Sequence, residues 1–390
     1  MKTSTSKRLR WNVAIWLAAG LFMTSTAGMA AGPIMPDPKA EARHQPQIEE
    51  TANGIPLVNI TAPSSGGVSR NEYETFNVPD KGAILNNSYT LSKTELAGYV
   101  PGNNNMAERP AKIIVNEVTG TGFTSMDGFL EVAGNRADVV IANPNGITVN
   151  GGGFINTGRA ILTTGKPIYD DRDNLQNLAV TGGLVDIEGK GLNGKEAGSL
   201  AILSRAVKIN AGIWAKDLHI TTGANTVDAK TLEASAIEGK GGRPAFALDT
   251  AAIGGMYAGR ITLVGTEKGL GVNNSGTWSA EDNLTLDWNG DLKNSGTIYS
   301  KGNADLRASR LENDKTIAAE RNLSAAAKEN IRNQGKLLAG ENMGIYAGKT
   351  LDNAGHAMES GNNLSIETGD AINNAAGTIK SGGSQQIKAG

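Results

Sequence analysis

The residues that could do chemistry in this chain are few and scattered. The run Gly189-Lys190-Gly191-Leu192-Asn193-Gly194-Lys195 matches Gly-x-Gly-x-x-Gly and most of a phosphate-binding loop. Such a loop aims backbone N–H groups and a helix N-terminus at a phosphate, while a Ser or Thr hydroxyl holds Mg²⁺. Here Glu196 stands where the hydroxyl is needed, and Ser199 to Ser204 does not read as a helix start. In a chain with 51 glycines the run reads as a turn. His44, His219 and His356 are isolated, without metal-ligand spacing, and are expected at the surface. Asp170-Asp171-Arg172-Asp173 lacks the regular ligand spacing of a Ca²⁺ loop and reads as a solvated loop. With no cysteine and no Gly-x-Ser-x-Gly elbow, nucleophilic catalysis has no candidate set. The sequence therefore reads as a non-enzyme with no cofactor and no metal.

What recurs instead is asparagine at turns. In Asn143-Pro144-Asn145-Gly146-Ile147 the proline presets φ at the second position and Asn-Gly accepts positive φ, so the run predicts a tight corner. Toward the C-terminus the asparagines Asn274, Asn294, Asn313, Asn333, Asn353 and Asn374 follow one another at 20, 19, 20, 20 and 21 residues. An apolar residue sits two positions before most of them, at Leu292, Leu311, Ile331, Leu351 and Ile372. Another follows four positions after several, at Ile298, Ile317 and Leu337. A third comes later in each unit, at Leu306, Leu323, Met343, Leu364 and Ile387.

The elements that must hold these corners follow from that period. About 20 residues is too short for a helix pair of the tetratricopeptide or ankyrin kind, which need about 33. The dense Leu-x-x-Leu-x-Leu signature of leucine-rich repeats is missing. Three short strands joined by tight turns would close one coil of a parallel β-helix, with coils stacked at about 4.8 Å and asparagine forming a hydrogen-bonded ladder at one corner. Composition agrees: 12 prolines, 5% aromatics and short Val/Ile/Leu runs such as Val139-Val140-Ile141 and Ile261-Thr262-Leu263 suit a β-protein with a thin aliphatic core. Asn322 to Glu329 is the best helix candidate. A β-helical polysaccharide-degrading enzyme would project carboxylates from neighbouring coils, and acidic residues do not recur at one phase over 274–390. The net charge of −2, without a long same-sign block, points to no nucleic-acid partner.

The N-terminus reads as a leader. Lys2, Lys7, Arg8 and Arg10 precede a short apolar run from Val13 to Met23, and Gly28, Ala30 and Ala31 supply a cleavage site. The apolar run falls short of the roughly 20 residues a bilayer needs, so residues 1–30 are expected to be a signal peptide. Pro33, Pro36, Pro38 and Pro46 make 31–52 read as a linker. The repeat array reaches Gly390 in mid-pattern, which predicts the front of a longer protein or a truncated product.

Residues 53–271 resemble the haemagglutination-activity, or two-partner secretion, domain of filamentous haemagglutinin and of contact-dependent growth-inhibition effectors. The resemblance is carried in order by Gly54-Ile55-Pro56-Leu57-Val58-Asn59-Ile60, Phe76-Asn77-Val78, Ile114-Val115-Asn116-Glu117-Val118-Thr119, Ala142-Asn143-Pro144-Asn145-Gly146-Ile147, Gly153-Phe154-Ile155-Asn156-Thr157 and Gly254-Gly255-Met256-Tyr257. Residues 272–390 would then be haemagglutinin-type repeats. The family's upstream Asn-Pro-Asn-Leu element falls at Asn103-Asn104-Asn105-Met106, with Asn for Pro and Met for Leu. Val149 and Gly152 stand where some growth-inhibition members carry a Cys pair. The resemblance implies an all-β fold, a right-handed parallel β-helix with an N-terminal cap and extra-helical β elements. It also implies a secreted surface exoprotein of a Gram-negative bacterium, taken to the periplasm by the Sec machinery and recognised there by an outer-membrane β-barrel transporter. The two asparagine elements are the candidate recognition or folding motifs. The passenger is expected to be an adhesin with a host-cell receptor, or the delivery stalk of a growth-inhibition toxin with a receptor on a neighbouring cell.

Overall fold

A computed structural model describes residues 33–106 and 109–390. The expected signal peptide lies outside the described residues. Among the described residues only Ala42–His44 form a helical turn, and everything else regular is strand. The strands wind into a parallel β-solenoid of about 13 turns.

One coil shows why these residues form these elements. Gly271–Asn274, Thr277–Ala280 and Leu284–Trp288 are its three sides. Each strand alternates buried and exposed positions, as in Leu284, Leu286 and Trp288 inside against Thr285 and Asp287 outside. A period of two on a segment of three to five residues is a strand pattern, and the Gly and Asn between segments turn the chain. The next coil repeats the pattern in register: Val272 pairs with Leu292, Trp278 with Ile298 and Leu284 with Ala304. One side forms an 11-stranded sheet, and the other two belong to a 26-stranded sheet that folds around the core. Along the strands, stacking pairs backbone groups with the coil above or below, so a thin aliphatic interior suffices.

The third apolar position read from the repeats resolves into two. Leu323, Met343 and Leu364 are stacked in register with Leu284 and Ala304, whereas Leu306 and Ile387 belong to a column with Leu286, Ala325, Ile345 and Ile366. The two columns lie two residues apart on the same strands, both inward. The helix candidate at Asn322 to Glu329 is instead the strand Leu323–Ala327, with Leu323, Ala325 and Ala327 buried. Its alanines favour a helix locally, but a slot between two existing coils offers ladder bonds on both edges.

The linker expected over 31–52 is also corrected from Ile34 onward. Strand β1 (Ile34–Pro36), the helical turn and β2 (Gln47–Glu50) are followed by β3 (Pro56–Asn59) and β4 (Val68–Phe76). β1 pairs antiparallel with β4, and β2 with β3, so the segment forms a cap over the first coils. Proline does not prevent this, because Pro36 ends its strand beside a register shift, where no ladder N–H is needed. Extra-helical elements are a four-stranded antiparallel sheet (Lys166–Tyr169, Leu175–Val180, Asn225–Asp228, Ala234–Ala236) and the hairpin Ser92–Thr94/Gly98–Val100. No break in pairing marks residue 271: Gly271–Asn274 is bonded to Phe246–Thr250 on one side and to Leu292–Asn294 on the other.

Candidate functional site

The corner at Asn143 joins the strand Ala137–Ala142 to Ile147–Val149. The Gly146 N–H donates to the Asn143 carbonyl at 3.1 Å, closing the turn, and the Asn145 N–H donates to Asn143 Oδ1 at 3.0 Å. Both side-chain amides then reach back one coil. Asn143 Nδ2 donates to the Gly122 carbonyl (3.0 Å) and Thr124 Oγ1 (2.9 Å), and Asn145 Nδ2 donates to the Gly120 (2.9 Å) and Gly122 (3.2 Å) carbonyls. Asn143 is fully buried and Pro144 is the exposed tip. Gly146 has φ +134°, and a Cβ there would lie 2.9 Å from the Phe123 ring and 3.1 Å from the Leu184 carbonyl. Ile147 enters the core between Thr124 and Val185 of the adjoining coils.

The element at Asn103 has the same geometry despite its two departures. The Met106 N–H donates to the Asn103 carbonyl (3.2 Å) and the Asn105 N–H to Asn103 Oδ1 (3.0 Å). Asn103 Nδ2 donates to the carbonyls of Ile60 and Asn86, both at 2.9 Å, and Asn105 Nδ2 donates to Ile60 at 3.1 Å. Asn104 occupies the exposed tip, a turn position that Asn also accepts, and Met106 is fully buried as a core residue. The two corners lie on different edges of the solenoid, since Asn103 follows the strand Ala83–Asn87 after the hairpin excursion Ser92–Val100, and Asn143 follows a strand of another side.

The six repeat asparagines form a continuous column. Asn274 Nδ2 donates to Asn294 Oδ1 (2.7 Å), Asn294 to Asn313 (2.8 Å), Asn313 to Asn333 (2.8 Å), Asn333 to Asn353 (2.7 Å) and Asn353 to Asn374 (2.7 Å). All but Asn374 are buried. Above the column stands Thr250, in register with Asn274 and bonded to the Trp278 indole N–H at 3.0 Å. A second ladder escaped the sequence reading. Asn283 accepts from the Asn303 N–H (2.9 Å), and Asn303, Asn322 and Asn342 accept in turn from the amides of Asn322, Asn342 and Asn363 (2.8, 2.9 and 3.1 Å). Its signal was the same period of about 20 at a second phase.

The residues set aside for chemistry occupy structural places. Gly189 and Gly191 have φ of 55° and 77°, the Lys190 N–H donates to Asn150 Oδ1, and the next element is the strand Ser199–Ser204, so no phosphate cradle forms. The surface expectation fails for His44 and holds in part for the other two histidines. His44 is buried beside Glu72, and His356 is half-buried. His219 is half-buried, bonded to Thr221 Oγ1 at 2.8 Å, and its pKa is lowered to about 4 by burial and then by Arg159. Asp173 is likewise no solvated residue, since it contacts Arg43 and Arg70. Among the described residues no three His, Asp or Glu side chains are placed to hold a metal.

A solenoid whose first coils are capped by an antiparallel strap and pinned by two Asn-x-Asn corners matches a known pattern across most of its length. The TPS secretion domain matches residues 33–300. The chain belongs to the TPS secretion domain family. The match begins at the strap and runs past 271, wider at both ends than the 53–271 read from sequence. The haemagglutinin repeat matches 299–355 and 345–390. Among relatives of this TPS chain, "Toxin CdiA" of Yersinia pestis is 43% identical over 297 residues, 70% of this chain and 9% of that protein. "tRNA nuclease CdiA" of Yersinia mollaretii is 40% identical over 325 residues, 82% of this chain and 11% of that protein. "16S rRNA endonuclease CdiA" of Enterobacter cloacae is 50% identical over 229 residues, 58% of this chain and 7% of that protein. The chain thus spans about a tenth of the length of these relatives. The solved filamentous hemagglutinin secretion domain superposes with a TM-score of 0.57 at 29% identity, covering 92% of this chain and all of that one.

Proposed function

We propose that residues 33–300 are the export domain of a long exoprotein. The domain is recognised in the periplasm by a dedicated outer-membrane β-barrel transporter, after the Sec machinery has delivered the chain there. Family membership supports this reading, and the observation that carries it into residues is the pair of equivalent corners at Asn103–Met106 and Asn143–Ile147. In both, the asparagine amides point back into the preceding coil, so what a transporter meets is the outer rim. That rim is Asn104 at one corner and Pro144 with the exposed Phe123 at the other. The asparagines act by shaping and nucleating the rim, and the tips act by contact. Secretion of Asn143→Ala and Asn145→Ala chains beside Pro144→Ala and Phe123→Ala chains, with the cognate transporter present, tests this division. Unchanged secretion of all four variants removes the corner from the recognition reading.

For the passenger, similarity to proteins named as CdiA toxins favours a delivery stalk for contact-dependent growth inhibition, reaching a receptor on a neighbouring cell. The structural likeness to filamentous hemagglutinin favours an adhesin reaching a host receptor. Both readings assign the rod no catalysis and no cofactor. A small immunity gene downstream would favour delivery.

A further inference from the structure

The cap and the extra-helical sheet are joined by an ionic cluster. Arg70, on β4, bonds Glu72 at 2.8 Å, lies 3.6 Å from both Asp173 and Glu117, and stacks over the Tyr169 ring at 4.2 Å. His44, from the helical turn of the cap, places Nδ1 3.1 Å from Glu72 and Nε2 3.5 Å from Asp173. Arg43 adds a 3.0 Å contact to Asp173. Beside them the Asn174 side-chain oxygen accepts from Ser64 Oγ (2.9 Å) and the Gly66 N–H (3.1 Å). Asp173 and Asn174 lie on one loop, Asp170–Asn174, which joins Lys166–Tyr169 to Leu175–Val180.

Three features make this loop a latch rather than a generic surface contact. Its contacts to the cap, from Asp173 to Arg43 and His44, join residues 130 and 129 positions apart (173 − 43 and 173 − 44), so they form only when the coils between are already stacked. Asp173 and its partners His44 and Arg70 are partly or largely removed from water, where an ion pair adds little net stability but breaking one partner is costly, which favours one closed geometry over loose alternatives. Asp173 holds φ +56°, a left-handed turn conformation that Asp and Asn adopt and most other non-glycine residues avoid. We infer that the Asp170–Asn174 loop locks the β1–β2 cap onto the solenoid as the last step of folding the first coils.

Hydrogen exchange on the purified chain, with no transporter present, tests this directly. Asp173→Asn keeps a side chain that tolerates positive φ and removes the charge facing Arg43 and His44, and Asn174→Ala frees the loop that carries Asp173 from its anchor on the β3–β4 connection. Cap amides over 34–50 should exchange on the order of tenfold to a hundredfold faster in either variant. Amides of Ala137–Ala142 and Thr157–Thr163 should keep their protection. During refolding, pulse labelling should protect the cap after those strands. Unchanged cap exchange in both variants would overturn the inference, as would loosening of cap and coils by equal factors or cap protection before the coils. If Asp173→Asn fails to fold, Asn174→Ala alone decides the matter by the same readout.

Discussion

Asn143 and Asn145 donate to one shared acceptor, the carbonyl of Gly122, at 3.0 and 3.2 Å. Asn103 and Asn105 repeat the arrangement on the carbonyl of Ile60, at 2.9 and 3.1 Å. In each case the side chains supply donors to a corner of the preceding coil where the chain turns away from its ladder. A corner is where a parallel β-helix has no neighbouring strand to satisfy its backbone, and a buried carbonyl left unpaired there is expensive. The asparagines are therefore ties between consecutive coils, and their register sets the register of the coils.

Asn143→Ala removes donors from Gly122 and Thr124 in a buried position, and should lower stability by about 1–3 kcal/mol. Asn143→Asp keeps the acceptor for the Asn145 N–H but cannot donate when ionised, so it should cost at least as much. Pro144→Ala, at the exposed tip, should stay within about 1 kcal/mol. Denaturant unfolding of the three variants checks the order.

In the repeat ladder, Asn313→Ala interrupts the column in the middle and leaves groups of Asn294 and Asn333 short of a partner. It should cost about 1–3 kcal/mol, felt as faster hydrogen exchange in the adjoining coils. Asn374→Ala, at a half-buried end of the described column, should cost less than about 1 kcal/mol.

Val149 and Gly152 should accept a disulfide. A Cβ built on Gly152 lies 2.9 Å from Val149 Cγ1, close to the roughly 3 Å between a sulfur and the partner Cβ that standard disulfide geometry implies. The double variant Val149→Cys/Gly152→Cys should oxidise to one intramolecular bridge in air, seen by mass spectrometry with and without reductant. Two free thiols after oxidation would contradict this placement.

His219 makes stability depend on pH. Its folded pKa, about 4, lies below its value of 6.5 when solvated, so the unfolded chain takes the proton first as pH falls. Its contribution is complete above about pH 6.5 and is lost progressively as pH falls toward about 4, by at most about 3 kcal/mol. His219→Gln should flatten the stability profile across that window, as measured by denaturant midpoints at several pH values.

Much of the fold was legible because one coil repeats the next. Asn294, Asn313 and Asn333 fixed the period, and Leu292, Leu311 and Ile331 one inward face. The strap was not legible. Ile34–Pro36 and Gln47–Glu50 are short, proline-flanked and antiparallel, and what holds them is a set of partners far along the chain, such as Phe76 and Asn59. His44 misled for a related reason: its burial depends on Glu72 and Asp173, residues that sequence proximity does not join to it. At Asn103 the reverse held. Two substitutions made the element look divergent, yet neither touches the amides of Asn103 and Asn105 that do the binding.

The central claim, that residues 33–300 are an export domain served by a dedicated transporter, is tested most directly by fractionating cells that express the chain with and without the cognate outer-membrane barrel. The account predicts chain outside the cell only when the barrel is present, with periplasmic retention or degradation when it is absent. Equal amounts outside in both cases, or none outside with the barrel present, would contradict it.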